Sequence, residues 1–128
     1  MSSPSDLLFT KSHEWVRRDG NTIVMGITDY AQGSLGDVVH VEMPEEGDEF
    51  EQGAELAEIE SVKAVSSIYA PVSGTVISVN EAIEDEPEAV NNDAYGGGWL
   101  ATLEMSDASQ LDGLLSADAY DRHVESQG

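Results

Sequence analysis

Residues 60–80 read ESVKAVSSIYAPVSGTVISVN. Ahead of them, Ala54 to Glu60 has the alternation of a half-buried strand, with Ala57 and Ile59 set against Glu58 and Glu60. A short break at Ser61-Val62-Lys63-Ala64 follows, and Val65 to Ala70 returns as a second strand. Pro71-Val72-Ser73-Gly74 is a turn, and Thr75 to Val79 is strongly β-branched, hence a third strand. Lys63 therefore stands at a hairpin tip. A rigid sheet would fix its anchor while a long side chain ends in an amine that can be acylated. A group tethered there would meet its targets at about millimolar local concentration. Hairpin placement alone does not separate such a lysine from an ordinary exposed one.

The same pattern extends both ways. Glu14 to Arg18 leads through the turn Asp19-Gly20-Asn21 into Thr22 to Thr28, where Ile23, Met25 and Ile27 share a face. Thr28 or Asp29 can cap a helical turn through Leu35, which Gly36 stops. Val38 to Met43 reads as a strand with Val39, Val41 and Met43 on one side, followed by an acidic loop over Pro44 to Gly53. Glu81 to Asn92 is acidic, with Pro87 placed to open a short helix. Ala94 to Gly98 is a glycine-rich loop, and Trp99 to Met105 a final strand. In the tail, Leu111, Leu114, Leu115 and Ala119 have helical spacing, Asp107 and Gln110 sit as a capping pair, and Gly113 with Ser116 favour two short helices. Trp15, Trp99, Tyr69 and Tyr95 are expected to pack the body, and the leucines of the tail to dock it. The sum is a mainly β body with short flanking helices and a helical C-terminus.

The chain has 128 residues, which suits one domain over residues 1–128 and lets it fold without disulfide or metal. Its 26 acidic and five basic residues give a formal charge of -21, which excludes nucleic acid and anionic membrane surfaces as partners. So many carboxylates on a small body repel one another. At about 1 M salt the Debye length falls to roughly 3 Å and screens that repulsion. The balance is the one expected of a halophilic prokaryote; a circular dichroism spectrum unchanged in dilute buffer would reject that origin. With no cysteine there is no disulfide, thiolate metal site or cysteine nucleophile. The start, MSSPSDLL, lacks the basic and apolar regions of a secretory signal, and no stretch reaches the roughly 18 apolar residues of a membrane span. A cytoplasmic protein is expected.

The usual catalytic signals are missing: no G-x-S-x-G, H-E-x-x-H or Walker loop. His13, His40 and His123 are scattered, so each reads as a separate structural or surface residue rather than part of a metal site. Gly96-Gly97-Gly98 does not join a strand to a helix and is no phosphate cradle. The acids between Glu45 and Glu51 lack the oxygen spacing of a calcium loop and read as solvated charge.

Beyond residues 60–80, the segments KSHEWV (Lys11 to Val16), GITDYAQGSLGDVVHVEMPEEGD (Gly26 to Asp48), Asn80 to Asn91, GGGWL (Gly96 to Leu100) and LDGLLSADAYDRHV resemble the H protein of the glycine cleavage system. The likeness covers about residues 6–125 in the family's order. It implies a lipoyl-type barrel-sandwich hybrid with lipoate in amide linkage on Lys63, and Glu60, Ser61, Val62 and Ala64 as the recognition segment around it. It implies a non-enzymatic carrier. The carrier would take an aminomethyl group from a pyridoxal-phosphate glycine decarboxylase (the P protein) to a tetrahydrofolate-dependent aminomethyltransferase (the T protein). Dihydrolipoamide dehydrogenase (the L protein) would then reoxidise the dithiol, and a separate enzyme would attach the lipoate. In that family the loaded arm folds into a surface cleft, and by motif match Ser12 and Glu14 would hold its amine. A carboxylate facing a cationic amine makes physical sense of that role.

This chain departs from the family in places. Many members have an acid four positions after the lysine, where Ser67 stands here, and some have histidine at the positions of Tyr30 and Ser34. Three other swinging-arm roles share the basic design: lipoate relay, a lipoyl domain of a 2-oxo acid dehydrogenase, and a biotinyl carrier. Biotinyl carriers usually flank their lysine with methionines, whereas Val62 and Ala64 stand here. A hydrolase using clustered carboxylates is the alternative from a different class.

Overall fold

A computed structural model describes residues 6–127 of the chain. The first five residues of the segment read above as lacking a secretory signal lie outside that range. The described chain is mainly β, as expected. A six-stranded antiparallel sheet has the order β1-β2-β3-β9-β8-β5, and a three-stranded one the order β4-β6-β7. The first contains β1 (Leu8–Phe9), β2 (Glu14–Asp19), β3 (Thr22–Ile27), β5 (Glu49–Phe50), β8 (Gly74–Val79) and β9 (Ala101–Met105). The second contains β4 (Val38–Glu42), β6 (Glu55–Ser61) and β7 (Val65–Tyr69).

Alternation decides what faces inward. Ile23, Met25 and Ile27 of β3 are buried, as their spacing requires, with Val76, Ala101 and Leu103 beside them. Val41, Ile59 and Ile68 from the three-stranded sheet complete the same core. A second cluster joins Leu7, Phe9 and Trp15 to Ala117 and Tyr120. Phe9 and Leu115 exchange backbone hydrogen bonds at 2.8 and 2.7 Å, which docks the tail against β1. The two-residue strands β1 and β5 are too short to show a period in the sequence.

The helix between β3 and β4 forms where its local signals put it. Helix α1 spans Asp29–Leu35; the Thr28 side chain accepts from the Ala31 N–H, and Gly36 ends the helix with φ +78° and ψ -155°. Two short helices, α2 (Ala82–Asp85) and α3 (Ala89–Asn92), follow β8, with Pro87 just ahead of α3. The tail divides as Gly113 and Ser116 suggested, into a 3-10 helix (Ala108–Gly113) and α4 (Ala117–Gln127).

Three expectations need correction. Val39 is 48% exposed, because the ladder between β4 and β6 slips between Val38 and His40 and turns Val39 out while Val41 stays in. Tyr69 is 40% exposed rather than packed in the body; its backbone is used instead, as shown below. Gln110 is no partner in a capping box. Its side chain accepts from Ser73 N–H at 2.6 Å, and Asp107 caps through Ser109. The tail leucines do dock the tail, at two places: Leu111 enters the main core with Leu114 half-buried against it, and Leu115 packs against the second cluster.

Candidate functional site

The hairpin of β6 and β7 brings Lys63 to its tip through a turn that one residue closes. Ser61 N–H donates to the Ala64 carbonyl at 2.8 Å, and the Ser61 hydroxyl both donates to that carbonyl and accepts from Ala64 N–H, each at 3.1 Å. Ser61 is buried by this work, whereas Val62, Lys63 and Ala64 are exposed, as is Glu60 at the end of β6. Two apolar residues flank the lysine in the open: Val62 is 75% exposed and Val65 58%. The turn is rigid and the side chains on it are not enclosed, which is the arrangement an acylating enzyme needs in order to reach Nζ.

From the tip a groove of about 280 Å³ runs between α1 and β7, lined by Ser12, His13, Tyr30, Ser34, Leu35 and Ser66 to Ile68 among others. Its walls mix aliphatic, aromatic and hydroxyl groups. A second hollow of about 200 Å³ adjoins it through Ser12 and holds Glu14, Thr10 and Tyr69. Residues 65 to 69 span four strand steps, about 13 Å, from the tip to this hollow.

Glu14 is the chemical centre of the second hollow. It begins β2, is only 1% exposed, and stands among hydrophobic neighbours. Its carboxylate accepts from Thr10 Oγ1 at 2.6 Å, Ser12 Oγ at 2.5 Å and the Tyr69 N–H at 3.3 Å. Desolvation raises its pKa above the ordinary value of 4.5, outweighing these three donors, which lower it. No cation among the described residues contributes to that balance. Among the described residues, the buried Glu14 carboxylate is thus held by neutral donors alone.

Ser12 and Glu14 are hydrogen-bonded to each other, and Lys63 is not in contact with them: the length of β7 separates the two ends. The departures from the family pattern have local answers. Ser67 donates its hydroxyl to Glu55 Oε1 at 2.6 Å, so a carboxylate stands beside it from the neighbouring strand. Tyr30 and Ser34 line the groove, and an imidazole reaches the same wall from His13, whose ring centre is 4.9 Å from that of Tyr30.

The histidines are less scattered than their spacing suggested. His13 and His123 ring centres lie 5.8 Å apart, with His40 apart on β4. His13 Nδ1 is 2.7 Å from the Tyr120 hydroxyl, which in turn is 2.6 Å from Thr28 Oγ1, the cap of α1. Burial first, and then nearby negative groups, push the Tyr120 phenol up to about 12. His13 adopts φ +73°, a conformation non-glycine residues rarely take. The sequence gives no sign of this chain of contacts, because its members lie 92 and 107 positions apart. Among the described residues, no group of three or more histidine, cysteine, aspartate or glutamate side chains is placed to hold a metal ion.

The residues present would fit a lipoyl group: the Lys63 amine is accessible, a partly apolar groove lies along the neighbouring strand, and a buried carboxylate stands in the adjoining hollow. Comparison with known proteins shows the family. The family model described as glycine cleavage H-protein matches residues 7–127. The glycine cleavage system H protein of Staphylococcus haemolyticus is 55% identical over 120 residues, covering 94% of this chain and 95% of that one. A probable glycine cleavage system H protein of Haloarcula marismortui is 53% identical over 122 residues, covering 95% and 96%. The crystal structure of a glycine cleavage system H protein from Mycobacterium marinum superposes with a TM-score of 0.88 at 35% identity, covering 96% of this chain and 99% of that one.

Proposed function

The chain belongs to the glycine cleavage H-protein family, the lipoyl carriers of the glycine cleavage system, and on that premise we propose that Lys63 is the attachment point and Glu14 the amine receptor. The Lys63 amine forms the amide, with Glu60, Ser61, Val62 and Ala64 presenting it to the attaching enzyme. Bound there, lipoate would supply a disulfide that opens as one sulfur accepts the aminomethyl group, with the two electrons coming from glycine decarboxylation; once that group has moved on, the dithiol left behind would give up two electrons.

The residues of this chain do the rest. Ser61 holds the tip open, so the arm is reachable by the P, T and L proteins in turn. The groove along β7 receives the arm between visits and excludes water from it. Glu14 then accepts hydrogen bonds from the amine, with Ser12 and Thr10 fixing the carboxylate. Meeting a cation offsets the desolvation of Glu14, so the loaded arm is favoured in the groove over the unloaded one. In this reading the chain is a carrier subunit, and the chemistry is left to its partners. The same proposal treats residues 1–128 as one carrier domain working in the cytoplasm, with the charge of -21 as an adaptation to high salt.

The observation that carries this proposal is the pairing of an exposed lysine at a tightly closed hairpin with a buried, cation-free carboxylate at the far end of β7, in the hollow that adjoins the groove. Intact mass of protein from a lipoate-making cell tests it: one lipoyl increment is expected, lost in Lys63→Arg. An unmodified wild-type mass, or an increment that survives in Lys63→Arg, overturns it. Reconstituted with the three partners, the chain is expected to be required for glycine-dependent release of carbon dioxide.

A further inference from the structure

Although its end is exposed, the Lys63 side chain lies against one particular place. A Cβ built on Gly36 would stand 3.4 Å from Lys63 Cε and 3.9 Å from Cδ and Nζ, so the lysine methylenes pass directly over that glycine. Gly36 belongs to the turn between α1 and β4. A methyl there would make only ordinary contact with the lysine. The obstacle is the backbone, whose φ of +78° with ψ of -155° is a region that only glycine enters readily.

A single side chain from α3 holds this turn. Asn91 donates Nδ2 to the Gly36 carbonyl at 2.8 Å and to Gln32 Oε1 at 3.0 Å, and its Oδ1 accepts from the Val38 N–H at 2.9 Å. Between those two anchored residues, the Asp37 carbonyl accepts from the Val62 N–H at 3.0 Å. The chain of contacts therefore runs from Asn91 through the turn to the residue next to Lys63. Two backbone groups on either side of Asp37 are fixed from behind, and the lysine hairpin rests on the front.

We propose that Gly36 and Asn91 are positioning residues for Lys63, forming a seat that sets the direction in which its side chain leaves the tip. Leu35 precedes the seat and Ser66 follows the tip, so the seat lies at the mouth of the groove. A side chain lying over Gly36 starts beside the C-terminal end of α1, next to Leu35, which lines the groove. The seat makes entry of the arm into the groove the default, before any contact at Glu14 has formed. The inference rests on Lys63 being the attachment point, but the seat itself exists in the unmodified chain and can be tested there.

The chain contains two lysines, so Lys11 serves as an internal standard. Acetylation of the unmodified chain by a small anhydride, read peptide by peptide, gives the reactivity of Lys63 relative to Lys11. Apparent reactivity follows the fraction of time the amine is unseated, so freeing a half- to two-thirds-seated side chain raises the ratio about two- to threefold. That rise is expected in Gly36→Ala and Asn91→Ala. It is not expected in Val76→Ala, a core change in the larger sheet that lowers stability without touching the seat. An unchanged ratio in the two seat variants, or an equal rise in Val76→Ala, overturns the proposal. Should the seat variants fail to fold, wild-type protein still decides. A nuclear Overhauser contact between the Lys63 ε-methylene and the Gly36 α-protons is expected, and its absence refutes the seat. Intact mass separately reports whether Lys63 carries lipoate, so the seat and the attachment site can fail independently.

Discussion

At the hairpin tip Lys63 stands in solvent on a turn that one serine closes, while beyond the other end of β7 Glu14 is 1% exposed and takes three hydrogen bonds. The tip is built from neighbours in sequence: Ser61 and Ala64 are three positions apart. The receptor end is built from distant ones, with Tyr69 reaching Glu14 across 55 positions. The difference suits the roles proposed for the two ends. An amine offered to several enzymes would need access and a short, stiff base. A carboxylate that grips an amine would have to be dry, and dryness requires walls from several elements.

The largest effect that would sharpen this contrast is at the tip. Lys63→Arg keeps the charge but removes the acylable amine, so lipoylation and glycine-dependent turnover are expected to vanish. Thermal unfolding should move little, since exposed substitutions stay within about 0.5 kcal/mol. At the other end the effect should be graded. Glu14→Ala removes one charge-assisted partner of the amine, worth about 1.5–3 kcal/mol, so loss of the amine from the loaded arm should accelerate roughly 10- to 150-fold while lipoylation is untouched. Equal loss rates in wild type and variant would break the contrast.

A smaller effect is expected behind the receptor. Tyr120→Phe removes the hydroxyl between His13 and Thr28 and should cost about 1–3 kcal/mol by leaving buried polar groups unmatched. The folded protein holds the phenol proton up to about 12, against 10 when unfolded. Unfolded chains therefore bind fewer protons between those values, and wild-type stability should fall as pH rises from 10 to 12. Tyr120→Phe should lack that component in alkaline melts.

The smallest is a pH effect on the receptor itself. Because burial raises the Glu14 pKa, its contribution to stability is fully present below 4.5 and declines as pH rises through the folded value. Glu14→Gln cannot ionise. It should gain on wild type in thermal melts as pH moves from 4 toward neutrality, while its grip on the amine weakens.

The tip and α1 were legible because their signals are local. Thr28 caps, Gly36 stops, and a lysine between two β runs lands at a turn. The bulge that exposes Val39 was not, since alternation carries no mark of a register slip. Gln110 was misassigned because its spacing from Asp107 suits a cap, while Ser73, distant in sequence, offers it a better partner. Ser12 and Glu14 came from resemblance alone; hydropathy could not tell Glu14 from other strand acids, and only the packed hollow does. Asn91 and Tyr120 carried no signal, as their importance lies in the backbone and hydroxyl groups they reach.

The central claim is that a group anchored at Lys63 is received at Glu14. The Tyr69 amide, bonded to the Glu14 carboxylate, reports on that event without any mutation. In nitrogen-proton spectra of the lipoylated chain, the Tyr69 resonance should shift when the arm is loaded with the aminomethyl group and return when it is unloaded. A Tyr69 resonance that stays in place on loading would contradict the account.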